Sequence, residues 1–404
     1  MKKLTLLLNL GCGLLTAAGR SQELGPPPEA TDNDFVPVSP RPHKMAVAVN
    51  PADRSDVVRF YQTTYRASEG VASGWDGDRN TCTAGTTSQA YADATLLRVN
   101  YYRAMVGLPG DVTLSNAWSL KAQETALMMS KQGQLSHSPG TTWACYTAAG
   151  AEAAGKSNLA LGADAARAID LYVDDPGSGG NAAVGHRRWI LYPPTKIMGT
   201  GNLPSTGGWA ANDLWVIGGA GSRPTQPEWV AWPPQGYVPY PILPRSSGRW
   251  SFSYRNATFT NAKVFMEHSG TNVPVTLETQ AQGYGDNTLV WVPQGIPTGA
   301  PPDDTTYTVT VSNVVVSSQS RVFTYEVTLI DPDLTALAVQ LGSNNTLSLT
   351  WPASSTGYTL QQNSALPNSA DWTAVSPAPQ IVGNQYVATV SLSAGQRYYR
   401  LRKP

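Results

Sequence analysis

The chain has 404 residues, with 28 basic and 28 acidic side chains and a formal net charge of zero. At roughly 100–200 residues per domain that is two to four domains, and the missing basic excess argues against a protein that holds nucleic acid by neutralising phosphates. Only 14% of residues are charged, 37 are Gly, 31 are Pro, and 12 Trp and 18 Tyr outweigh 6 Phe, which suits a loop-rich, β-containing extracellular protein; 41% hydrophobic residues supply packed cores and exclude a disordered chain.

Lys2 and Lys3 precede an apolar run from Leu4 to Ala18, interrupted by Thr5, Asn9 and Thr16, and Ala17, Ala18 and Gly19 then offer a peptidase site. This pattern reads as a secretory signal peptide over residues 1–22 and implies a secreted protein, with retention at the cell surface left open. Cys12 leaves a lipoprotein signal as the alternative. No later stretch approaches ~20 apolar residues, so no transmembrane span is expected. Apart from Cys12 the cysteines are Cys82 and Cys145. An even pair in an exported chain reads as one disulfide, against the alternative of two free buried thiols.

Residues 23–49, with Pro26, Pro27, Pro28, Pro37, Pro40 and Pro42, read as a flexible leader. A helical pattern over 50–68 brings Val57, Val58, Phe60, Tyr61 and Tyr65 near one another. In the loop that follows, Asp76, Asp78 and Asn80 imitate the start of a calcium loop, but Thr81 stands where Gly is required and Thr87 where Glu is, so a solvated turn is expected. Helices are expected over 91–106, stopped by Gly107; over 115–131, capped by Ser115 and stopped by Gly133; and over 163–174, stopped by Asp175-Pro176-Gly177. The short apolar runs 188–191 and 213–218 read as strands.

After Pro224 the pattern changes to short, alternating, β-branched runs separated by Gly, Pro, Asn and Asp. Runs at 249–254, 262–267, 273–278, 288–292, 306–316 and 321–330 predict an Ig-like antiparallel sandwich over 224–332. A second, smaller all-β module is expected over 333–404. The stretch Trp229 to Tyr240, rich in Pro and Trp, is expected to pack the sandwich onto the helical domain.

The chain has no Gly-x-Ser-x-Gly elbow, no His-Glu-x-x-His helix, no phosphate-binding Gly loop and no Cys-x-x-Cys. Of its four histidines, His43 falls in the leader and His268 precedes a turn. His137 and His186 both fall in the helical domain, and spacing alone makes polar surface residues the default reading of both.

The run Gly185-His186-Arg187-Arg188-Trp189-Ile190-Leu191-Tyr192 resembles the second His signature of the CAP superfamily, the cysteine-rich secretory, antigen 5 and pathogenesis-related proteins, or SCP domains. Other segments agree in order: Asn100 and Arg103 in the opening helix, Ala122 to Ala126 in the second, Gln134-Leu135-Ser136-His137, Lys156-Ser157-Asn158-Leu159, and Ala168 to Asp175. The resemblance covers roughly residues 87–219, and Arg187-Arg188 in place of the usual residues, with the β tail, resembles a bacterial exported branch. It implies a multi-domain chain: an α-β-α sandwich over 50–223, then two all-β sandwich-like modules.

The family places two His and two Glu in one cleft, and these carry over onto His137, Ser157, Asp175 and His186. Ser157 loses its carboxylate, and Glu152, five residues away, is not promoted. Two imidazoles with Asp175 imply weak binding of a divalent metal such as zinc, with no cofactor required. The function implied is a monomeric, non-enzymatic extracellular binding protein for lipids, sterols or other surface ligands. One alternative is a secreted hydrolase or peptidase using His137, Asp175 and His186; another is a purely structural surface protein with a vestigial cleft.

Overall fold

The structure, a computed structural model, describes residues 22–31, 34–37, 46–301, 303–333, 337–343, 345–353, 357–364, 372–383, 385–392 and 396–402; the expected signal peptide, Cys12 and His43 lie outside them. The N-terminal strands β1 (Glu23–Leu24) and β2 (Val36–Pro37) come first. Helix α1 (Arg54–Phe60) begins where the Asp53 carboxylate accepts from the Ser55 and Asp56 amides, a capping arrangement that satisfies otherwise orphaned N–H groups. It runs on through a π turn at Tyr61–Tyr65 and a 3-10 turn at Arg66–Ser68, so the helical stretch expected at 50–68 is found over 54–68.

Helix α2 (Gln89–Met105) is capped by Ser88. After β3 (Thr113–Leu114), α3 (Asn116–Gln132) is capped by Ser115 and ends at Gly133, whose φ of 70° is the left-handed conformation that glycine adopts without cost. Next come α4 (Ala148–Ala154), β4 (Ser157–Leu161), α5 (Ala165–Asp174), α6 (Gly185–Ile190), β5 (Ile197–Leu203), β6 (Ala211–Trp215) and β7 (Gly219–Ala220). The strand expected at 188–191 is instead the end of α6. Trp189 and Ile190 are buried, and a run buried on all sides has no period from which to tell strand from helix.

One sheet has the order β1-β4-β6-β5-β3. Leu159 and Leu161 of β4 pack with Ala126, Leu127 and Met129 of α3 and Ala154 of α4. Ala160, one step out of phase, joins Met105 of α2, Ile169 and Tyr172 of α5 and Ile190 of α6. This is the period-two alternation of a strand covered on both faces. Helix α3 lies directly on the β5 backbone: a Cβ on Gly201 would sit 2.1 Å from the Ala122 carbonyl carbon, so no side chain fits there.

Past residue 224, two sheets follow. One has β8 (Val230–Trp232), β10 (Trp250–Ser253), β13 (Val275–Leu277) and β14 (Thr288–Pro293); the other has β9 (Gly236–Pro239), β11 (Lys263–His268), β12 (Thr271–Val273), β15 (Thr305–Val316) and β16 (Gln319–Ile330). A single cluster of buried apolar side chains runs from Val57 to Ile330, across the pattern break at Pro224. As expected, the stretch from Trp229 joins the two parts: Trp232 meets Tyr102 of α2 edge-on at 5.1 Å between ring centres, and Trp229 stacks on Phe252 at 5.1 Å.

The last strands form two further sheets around their own core of Leu349, Trp351, Leu360, Val375, Ala388 and Val390. Their link to the rest includes Asp333, which pairs with Arg66 at 2.7 Å and accepts from Gln62 at 2.9 Å.

Among the described residues of the leader read as flexible, 23–31 and 34–37 are docked. Glu23 and Leu24 pair antiparallel with Leu161 and Ala160 on β4, Gly25, Pro27 and Pro28 are buried, and β2 pairs with β7. Among the described residues no helix is long and apolar enough to cross a membrane.

Candidate binding cleft

Helix α5 ends at Asp175 in a left-handed turn (φ 55°), and Val184 takes the same conformation (φ 49°) just before α6. These two bends bring the Asp175 side chain to the start of α6. Its Oδ2 accepts from the His186 and Arg187 amides at 2.9 and 3.3 Å, and its Oδ1 accepts from His186 Nδ1 at 2.9 Å. With Nδ1 donating to the carboxylate, Nε2 carries the lone pair. His186 is fully buried, its ring stacks on Tyr172 at 5.5 Å, and Nε2 has no hydrogen-bond partner. Asn158 Nδ2 donates to the His186 carbonyl at 3.1 Å, which ties β4 to α6.

His137 lies beyond α3, within electrostatic range of His186. Its Nδ1 faces the Ala154 carbonyl and its Nε2 faces the Pro26 carbonyl of the docked leader. Burial pushes the His137 imidazole below its ordinary range, and the two carbonyls pull it back. Ser157 lies on the α3–α4 side of β4. Its hydroxyl donates to the Ala153 carbonyl at 2.7 Å and stabilises the end of α4 rather than replacing a lost acid.

The structure thus joins His186 to Asp175 directly, places His137 nearby, and gives Ser157 a structural task. Among the described residues, no three His, Cys, Asp or Glu side chains group as a metal ion would need. Both His137 nitrogens face carbonyls and the Asp175 carboxylate is spent on His186 and two amides, so one free imidazole nitrogen remains. That donor set does not fit zinc in this arrangement. The expected disulfide is present: Cys82 and Cys145 are bonded, their Cα atoms 5.1 Å apart.

Sequence reasoning passed over Asp213. It lies on β6 opposite Leu159, fully buried, and neither carboxyl oxygen has a hydrogen-bond partner. Burial raises its pKa to about 8, against the pull of the nearby Ser157 and Thr125 hydroxyls. Those protons are committed elsewhere, to the Ala153 carbonyl at 2.7 Å and the Gly150 carbonyl at 2.6 Å. Asp213 is therefore a neutral acid at pH 7. Its only trace in the sequence is an acid at the head of a short apolar strand run.

Arg187 and Arg188, the departure from the family signature, hold the sandwich against the helices. Arg187 donates to the Val173 carbonyl at 2.6 Å and to Ser251 Oγ at 3.0 Å, and Arg188 to the Ala281 and Asp286 carbonyls at 3.0 and 2.9 Å. Burial brings both guanidiniums down to about 10, still charged at neutral pH. From the other side, Arg249 donates to the Asp175 carbonyl at 2.7 Å. In the Asn-x-x-Arg motif, Arg103 donates to the Ile190, Tyr192 and Thr195 carbonyls at 2.9–3.2 Å, and Asn100 exchanges two hydrogen bonds with the Val112 backbone.

No curated protein matches the chain. Residues 96–217 match the family model described as the cysteine-rich secretory protein family, CAP. That span runs from α2 through β6 and contains His137, Ser157, Asp175 and His186. The stretch that carries the cleft's side chains is similar to that family.

Proposed function

We propose that the chain is a secreted, non-catalytic binding protein whose helices and first sheet form the α-β-α sandwich of its family, with the sandwich beyond residue 224 fused to it as one unit. The observation that carries the non-catalytic reading is the use already made of the cleft. Among the described residues, no Ser, Thr or Cys side chain hydrogen-bonds to either imidazole, so there is no nucleophile paired with a base. The disulfide agrees with an oxidising compartment. Lipid or sterol binding rests on the family resemblance: the open groove of about 670 Å³ beside Met105, Val106, Trp229 and Ala231 is lined equally by Gln226, Glu228, Gln235 and Glu326. Vesicle flotation with no lipid or sterol uptake would remove that ligand class.

The runner-up is a secreted hydrolase. It is favoured by the buried His186–Asp175 pair, which is oriented as a general base is, with Nε2 buried but unpartnered. Incubation with casein and a peptide library separates the two readings. No turnover, with or without a chelator, is the expected result; turnover lost in His186→Ala would overturn the non-catalytic reading. Zinc calorimetry should give the same heat for the intact chain and for a His137→Ala, His186→Ala double variant.

A further inference from the structure

We propose that the groove between β4, His137 and α6 is a binding site for extended proline-rich peptide, and that residues 23–30 of the chain are its resident competitor. The proposal rests on the binding-protein reading above and names a ligand for that cleft.

The segment Glu23-Leu24-Gly25-Pro26-Pro27-Pro28-Glu29-Ala30 is held mainly through its backbone. Glu23 and Leu24 extend the sheet at the β4 edge, and the Gly25 amide donates to the Leu159 carbonyl at 3.2 Å. The three prolines have no N–H and fixed φ, so their backbone offers only carbonyls. The groove answers with ring nitrogens. Trp189 Nε1 donates to the Pro28 carbonyl at 2.6 Å, and His137 Nε2 faces the Pro26 carbonyl. Beyond them the Ala30 amide donates to the Gly283 carbonyl at 3.0 Å, and the Tyr284 hydroxyl donates to Glu29 at 3.2 Å.

Shape reads the same ligand. A Cβ on Gly185 would lie 2.3 Å from Pro27 Cγ, and one on Gly180 would lie 2.8 Å from Pro27 Cδ, so two glycines leave the room that the Pro27 ring fills. Strand addition at an edge, indole donation to a proline carbonyl and a fitted ring slot are the elements by which proteins recognise extended proline-rich peptides. Nothing in these contacts depends on the peptide belonging to the same chain. The tether gives the resident segment a local concentration on the order of millimolar, so a free peptide must compete with it.

The test uses the full mature chain and a labelled peptide of sequence Leu-Gly-Pro-Pro-Pro-Glu-Ala, read by fluorescence anisotropy. Pro27→Asp with Pro28→Asp should evict the resident segment and raise affinity for the peptide at least tenfold over the intact chain. Adding Gly185→Ala, or Trp189→Phe, should take that gain away. Equal affinity for intact and evicted forms, or no binding to an evicted form that still melts cooperatively, would overturn the proposal. If the double variant fails to fold, Gly185→Ala in the otherwise intact chain is the second arm. Gly185 has no left-handed φ, so alanine suits the helix, while the Gly25 and Ala30 amides should exchange with solvent at least tenfold faster. Unchanged exchange would refute the fit. A concentration-dependent dimer of the intact chain that disappears with Gly185→Ala would assign the resident segment to a second copy and overturn its role as a competitor in cis. Cleavage of the bound peptide would sink the non-catalytic reading but not the groove, whereas absent binding would sink the groove alone.

Discussion

Asp213→Asn replaces a buried carboxyl by an amide of the same shape. The folded chain holds the Asp213 proton up to about pH 8, whereas the unfolded chain releases it near the ordinary value of 3.8. Between those limits the folded state binds more protons than the unfolded one, so stability falls as pH rises and levels off once the folded carboxyl also ionises. At pH 7 about three units have been crossed, and at about 1.4 kcal/mol per unit the parent carries an accumulated cost of about 4 kcal/mol. Asparagine has no proton to lose. The difference in stability between variant and parent should be near zero below about pH 4, grow to about 4 kcal/mol at pH 7 and flatten above about pH 8. Denaturant unfolding at several pH values, followed by tryptophan fluorescence, measures that difference directly. A difference that does not change between about pH 5 and pH 7 would show that Asp213 is ionised in the folded protein, and the argument from its unpartnered oxygens would fail.

Arg187→Ala should destabilise the chain by about 3 kcal/mol, because it removes a buried guanidinium whose hydrogen bonds bridge α5 and β10; a melting temperature within 1–2 °C of the parent, a shift of about the size of 0.5 kcal/mol, would refute this. Breaking the Cys82–Cys145 bond, which closes a separation of 63 residues, should cost about 4 kcal/mol, and alkylation of both cysteines without reductant would show that the bond does not form. A chain ending at Asp333 should keep the cooperative melt of the remainder, since the last module has its own core; loss of cooperativity would show that the two cores depend on each other. A chain ending at Pro224 should fail to fold, because that cut divides one buried cluster, and a cooperative melt of the fragment would refute the reading of a shared core.

The helices were legible because their punctuation is local. Ser115 and Gly133 bracket α3, and Asp175 closes α5, each by chemistry that one or two residues decide. The family motifs carried the placement of His137, Asp175 and His186, since residues far apart in the chain reveal no proximity through spacing. Other features were not legible. Residues 23–30 look like linker by composition, and what turns them into a short strand and a buried proline run is the groove they meet, made by residues more than a hundred positions away. The arginines Arg187 and Arg188 look like a surface pair, and only the facing carbonyls of α5 and of the 281–286 loop make them buried. The border at Pro224 is a real change of secondary structure but does not divide the core, because the alternation of a strand does not say which neighbour its apolar face will meet.

The docked leader also has a consequence in time. Glu29 meets Tyr284, 255 residues later in the chain. At about 5–20 residues per second, on the order of ten seconds to a minute separates the synthesis of the two. During that interval the leader has been made and the loop that receives its far end has not. One of the first described segments to leave the ribosome is therefore among the last to complete its contacts, and the β4 edge stays open until the leader turns back onto it. In the meantime that edge has to be tolerated or covered, since an open strand edge is the part of a sheet most prone to pair with the wrong partner.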